Sequence, residues 1–145
     1  MNARTRPGSV TAVFVLLILI TAYQLIAGGL AFAGGVATET VDAVPPTPGI
    51  PTWAVFTAAT IALVYGIASL VLAVLVGRGR PAARPAALGV NAVYGVVILA
   101  LVFTPVAGVP ELVTAAFAFT VVALLYSTSA KAHFGETSVA PGPVA

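Results

Sequence analysis

Cysteine is absent from the chain and histidine occurs once, at His133. Without cysteine there are no disulfides, no thiol redox chemistry, no thiolate metal ligation, no haem attachment through Cys and no lipidated N-terminal Cys. A lone histidine leaves no bis-His haem and no His-based metal site within one chain, and His133 reads as an interfacial polar side chain. Charge is nearly as scarce. Only 7% of the 145 residues are charged and 60% are hydrophobic, where a soluble domain carries roughly 25% charge, so a water-soluble fold is excluded. The net charge of +2 comes from six basic and four acidic residues. It reflects few acids rather than a basic surface, and nucleic acid is not an expected partner.

What is present is apolar sequence in four runs, at about 10–33, 52–76, 86–104 and 112–130. The first two are long enough to cross a hydrocarbon core of about 30 Å with tilt; the last two are just sufficient. The first, preceded by Arg4 and Arg6 and containing Ala31-Phe32-Ala33, also has a signal-peptide reading. Its apolar stretch is longer than a usual h-region of about 7 to 15 residues, which favours a span. Residues 34–51, with Pro45, Pro46, Pro48 and Pro51, read as a connecting loop or, in a functional reading, a lid or docking strap. Trp53 suits a membrane interface. Pro110 and Glu111 suit the start of the fourth helix, and 135–145 reads as a disordered tail.

The densest charge lies at 77–85, where Arg78, Arg80 and Arg84 supply three of the six basic residues. Short connections here and at 105–110 make neighbouring helices antiparallel. Four crossings then gather Arg4, Arg6, Arg78, Arg80, Arg84 and Lys131 on one side and Glu39, Asp42 and Glu111 on the other. Basic residues near helix ends favour the cytoplasm. The expectation is therefore an all-α fold, an integral membrane antiparallel four-helix bundle with both termini cytoplasmic in a bacterial plasma membrane. Arg78, Arg80 and Arg84 act as topogenic or lipid-contacting residues.

No Asp, Glu, Lys, Arg or His occurs inside the four runs, although such residues are the usual mark of ion paths, proton relays and catalysis within a membrane. The polar residues left are neutral. Gln24, Tyr65, Ser69, Asn91, Tyr94 and Thr120 lie at depths where they can meet inside the bundle. Hydrocarbon offers an amide no partner, so Gln24 and Asn91 should turn inward and bond to neighbouring helices. Two readings follow: adhesion between helices, or a small neutral pocket. Ala58, Ala62 and Gly66, spaced by four, give the second helix a small face for close packing.

The Arg-rich hairpin, the Ala87-Leu88-Gly89 that follows it, and the closing stretch from Tyr126 through Ser127, Ala130, Lys131 and His133 to Phe134 resemble small four-helix membrane proteins of actinobacteria. The resemblance implies architecture and no activity. The expected role is that of a non-enzymatic accessory or scaffold subunit of a larger membrane complex, without a cofactor. Its partners are the bilayer and other membrane subunits or further copies of itself. The alternative is a small transporter or oligomeric pore built around the neutral cluster.

Overall fold

A computed structural model of the chain describes residues 7–40 and 48–135. The chain is all-helical across them: α1 (Gly8–Thr40), α2 (Thr52–Gly77), α3 (Ala83–Leu101), α4 (Val109–Leu125) and the short α5 (Thr128–His133). The first three are long and apolar enough to cross a membrane; α4, with 17 residues, is apolar but shorter. Arg4, Arg6, Asp42 and the expected tail beyond Gly135 lie outside the described residues.

α1 runs well past the expected end near residue 33. Its inward stripe, Val13, Leu17, Ile20, Gln24 and Gly28, keeps the spacing of three and four that places side chains on one helical face. Of the expected loop 34–51, residues 34–40 are helical instead, and 41–47 lie outside the described residues. Gly35 continues the stripe under the Phe56 ring, where an added Cβ would meet ring carbons at 3.2 Å. Phe32 meets the same ring edge-on at 5.4 Å, and the Thr38 and Thr40 hydroxyls bond back to the carbonyls of Gly35 and Val36 at 2.8 Å. Packing on α2 thus overrides the weak helix propensity of Gly and Thr.

α2 ends in a Schellman turn. Arg80 N–H donates to Leu75 O at 3.2 Å, Gly79 N–H to Val76 O at 3.0 Å, and Gly79 takes φ +63°, which glycine adopts without a Cβ penalty. α3 starts three residues ahead of the expected 86, with Pro85 in its first turn, where a missing N–H costs nothing. It stops at Leu101, short of the expected 104, because the backbone N–H and hydroxyl of Thr104 both donate to Leu101 O. α4 begins at Val109, where Glu111 Oε2 accepts the Gly108 N–H at 2.8 Å. The expected single helix 112–130 is in fact two. Ser127 leaves the helical conformation and its Oγ accepts the Ala130 N–H at 3.3 Å, starting α5 as an N-cap.

The four long helices form a ring. α1 packs closely on α2, and α3 on α4; α1 meets α4 and α2 meets α3 along looser seams, and the backbones of the diagonal pairs stay apart. Successive helices are antiparallel: Phe14 of α1 covers Gly77 at the end of α2, while Gly35 near the end of α1 covers Phe56 near the start of α2. Close approach rests on glycine at two places. A Cβ on Gly28 would stand 3.0 Å from Ala62 Cβ, and one on Gly95 would stand 2.6 Å from the Phe119 ring. The bundle is thus two tight hairpins, α1/α2 and α3/α4, set against each other. One end of it gathers the start of α1, the α2–α3 turn and α5, with Ser9 Oγ 2.9 Å from Ser129 Oγ. Large apolar side chains, among them Ile26, Leu30, Val64, Val93 and Phe103, point outward.

Candidate functional site

The polar residues that face inward meet where the two hairpins join. Tyr65 of α2 and Tyr94 of α3 stack with ring centroids 3.6 Å apart and planes within 5°. The Tyr65 hydroxyl donates to Asn91 Oδ1 at 2.7 Å, and Asn91 Nδ2 donates to Ala87 O one turn back at 2.8 Å. Gln24 Nε2 of α1 donates to the Tyr94 hydroxyl at 2.8 Å, reaching across the ring diagonal. Helical spacing explains the convergence: Ala87, Asn91, Tyr94 and Ile98 fall on one face of α3, while Tyr65, Ser69 and Leu72 fall on one face of α2. All four hydrogen-bonding side chains are buried.

Of the six residues singled out, five come together and Thr120 does not. Thr120 is exposed on the outside of α4 and satisfies its own hydroxyl by donating to Ala116 O at 2.8 Å. The inward stripe of α4 runs through Thr114, Ala115, Ala118, Val121 and Leu125, which leaves position 120 outside it. Thr114 takes the inward place. It is buried beside the Tyr94 phenol, and its Oγ1 donates to Pro110 O at 3.0 Å. Counting three- and four-residue steps back from Val121 points to Thr114, a signal that depth alone misses. Ser69 is fully buried next to the Tyr65 phenol, yet its Oγ meets no partner in hydrogen-bond geometry.

The three arginines separate. Arg78 and Arg80 are exposed in the α2–α3 turn, but Arg84 is buried. Its Nε donates to Leu125 O at 3.0 Å, one of the carbonyls left over where α4 stops. A cation at the negative end of a helix is favourable there. Arg84 therefore ties α3 to α4, a correction to its reading as a lipid contact. Its spacing with Ala87 and Asn91, three and seven residues on, already puts it on the inward face.

Two grooves follow the looser seams. One, of about 700 Å³, lies between α2 and α3, with Val64, Ala68, Ala86, Gly89 and Val93 in its walls and the rings of Tyr65 and Tyr94 beneath. The other, of about 550 Å³, lies between α1 and α4 beside Leu19, Tyr23, Val113 and Phe117. Chemically the cluster is neutral: the Tyr65 hydroxyl is spent on Asn91 Oδ1, the Gln24 amide N–H on the Tyr94 hydroxyl and the Asn91 amide N–H on Ala87 O. Among the described residues, Glu39, Arg84 and Glu111 stand in the first or last turns of their helices, and no three His, Asp or Glu side chains gather. Compared with known proteins, the chain significantly matches no family model, no curated protein and no solved structure.

Proposed function

We propose that this chain is a four-helix integral protein of a bacterial plasma membrane, of the actinobacterial kind it resembles, with both termini cytoplasmic. In this reading it serves as a non-enzymatic accessory or scaffold subunit of a larger membrane complex. Three helices of spanning length, the outward apolar side chains and the joining of both ends of the described chain at one end of the bundle support the membrane reading. α4 is at the short end of the spanning range of about 17 to 25 residues. The exposed Arg78 and Arg80 share their end with Lys131, while Glu39 and Glu111 are at the other, the distribution that orients a bundle with its basic end inward.

The observation that carries the role is the self-contained hydrogen bonding of Gln24, Tyr65, Asn91 and Tyr94. Groups spent on each other hold helices together; a conduction path needs polar groups facing an open route, and general acid–base work needs a titrating side chain at the substrate. Extraction from native membranes in mild detergent should recover a stoichiometric partner. A monodisperse protein with no partner, even after crosslinking in its own membrane, would sink the scaffold reading.

The transporter reading draws on one observation of its own: the Tyr65 and Tyr94 rings border the α2/α3 groove, with the unspent Ser69 hydroxyl behind them. In that case the isolated protein in liposomes gives a flux that Asn91→Ala or Tyr94→Phe abolishes.

A further inference from the structure

We infer that the groove between α2 and α3 is a binding site for one anionic glycerophospholipid of the surrounding bilayer. An acyl chain lies along the groove, and the phosphate is held by Arg78 and Arg80. The inference rests on the membrane-spanning reading above.

Length suits an acyl chain. On α3 the groove runs from Pro85 to Val97, a rise of about 18 Å at about 1.5 Å per residue. One leaflet contributes about half of a hydrocarbon core of about 30 Å, so the groove spans about one leaflet. The walls are apolar, and the Tyr65 and Tyr94 hydroxyls in the floor point to Asn91 and Gln24, so the groove offers hydrocarbon contact.

Its opening is built in. α2 is drawn toward α1 by the contact of Gly28 with Ala62, and α3 toward α4 by that of Gly95 with Phe119. The side chains left facing each other include the small Ala68, Ala86 and Gly89. A Cβ on Gly89 would meet nothing within 4 Å.

Charge selects the head group. On α3 the groove reaches Pro85, five residues after Arg80, while on α2 its last lining residue is Ala68, ten residues before Arg78; both arginines are exposed in the turn beyond it and, among the described residues, make no ion pair with an acid. The described acids, Glu39 and Glu111, belong to the opposite end of the bundle. Arg84 is engaged with Leu125, which leaves two guanidiniums in the turn. A phosphodiester accepts charge-assisted hydrogen bonds from such groups, and a zwitterionic head group sets a cation against them.

The test uses the full chain purified in a neutral detergent, with native mass spectrometry and thermal unfolding after addition of phosphatidylglycerol, phosphatidylcholine or chain-free glycerophosphoglycerol. Phosphatidylglycerol should give a one-to-one adduct and raise the unfolding temperature, phosphatidylcholine should bind at least about tenfold more weakly, and the chain-free head group should do neither. Arg78→Gln with Arg80→Gln should remove the preference for phosphatidylglycerol. Gly89→Leu should remove the adduct while leaving the lipid-free unfolding temperature unchanged or raised, since leucine is the better helix former. Equal binding of the two lipids, an adduct that survives Gly89→Leu, or a Gly89-dependent dimer in place of the adduct would each overturn the inference. Should Gly89→Leu fail to fold, Val93→Phe, on the same wall, repeats the blocking test. Alkaline carbonate separates the two levels. Release of the chain from membranes defeats the membrane reading and this one with it, whereas retention without a selective adduct defeats this one alone.

Discussion

Asn91 joins two helices with one side chain, accepting from Tyr65 of α2 while donating to its own helix at Ala87 O. Removing it takes the Asn91 Oδ1 acceptor from the buried Tyr65 hydroxyl, which is left beside the Ser69 hydroxyl. An orphaned buried donor costs about 1–3 kcal/mol, although interhelical hydrogen bonds in membrane bundles average about 0.6 and reach about 1.7 kcal/mol. Asn91→Ala should therefore destabilise the protein by about 1 kcal/mol or somewhat more, read as a lower midpoint in denaturant unfolding from detergent micelles. Thr120→Val should leave the midpoint almost unmoved, because that hydroxyl bonds only within its own helix on the exposed face. Equal effects of the two would refute the division between a binding cluster and an outward threonine. At this scale the sequence was informative about chemistry and less so about direction. That Gln24 and Asn91 must turn inward follows from the cost of a bare amide in hydrocarbon. A threonine can satisfy itself on its own helix, so nothing in its composition says which way Thr120 or Thr114 points.

Helix ends carried the largest differences between the sequence reading and the structure, and each traces to particular contacts. α1 outruns its expected end because Gly35 lies beneath Phe56, a contact that requires knowing which helix is the neighbour. α4 breaks at Ser127 because the serine hydroxyl caps α5 and Arg84 takes the carbonyl of Leu125. The Phe56 and Arg84 contacts are tertiary, while the Ser127 cap is local, in a residue that propensity treats as weak. The existence of four apolar helices needed only their length and lack of charge. Glycine separates packing from propensity at this scale. Gly95→Ala forces a Cβ to within 2.6 Å of the Phe119 ring, whereas Gly29→Ala places one in open space. The first meets the far end of the exposed Phe119 side chain, which must turn aside and give up its packing on Gly95, and should cost about 1 kcal/mol. The second should be neutral or stabilising by up to about 1 kcal/mol, since alanine is the better helix former. Unfolding midpoints of the two variants measure the difference, and a stabilised Gly95→Ala would show that the α3/α4 hairpin is not closely packed there.

The whole molecule turns on the number of crossings. An even number brings the chain's ends together; an odd number holds them about 30 Å apart, on opposite faces of a bilayer. The bond between Ser9 of α1 and Ser129 of α5 expresses the even case in one distance, 2.9 Å between hydroxyl oxygens. The absence of native cysteine makes this directly testable, because two introduced thiols have no competitors. A disulfide needs its Cβ atoms about 3.5–4.5 Å apart and its sulfurs at about 2.05 Å, within a small side-chain adjustment of the serine pair. Ser9→Cys with Ser129→Cys should crosslink under mild oxidation in the intact membrane. The denatured double variant should then take no maleimide-polyethylene glycol, and two after reduction. Ser9→Cys with Thr38→Cys puts the thiols near opposite ends of the 33-residue α1, about 44 Å apart along its axis, and should take two under either condition. A basic-end-inward orientation adds a second requirement. In sealed cells, an impermeant maleimide added outside should reach Thr38→Cys and leave Ser9→Cys unlabelled. If Ser9→Cys is labelled instead, the bundle is inverted with its fold intact. If both pairs fail to crosslink, the ends do not meet and the four-crossing arrangement is wrong.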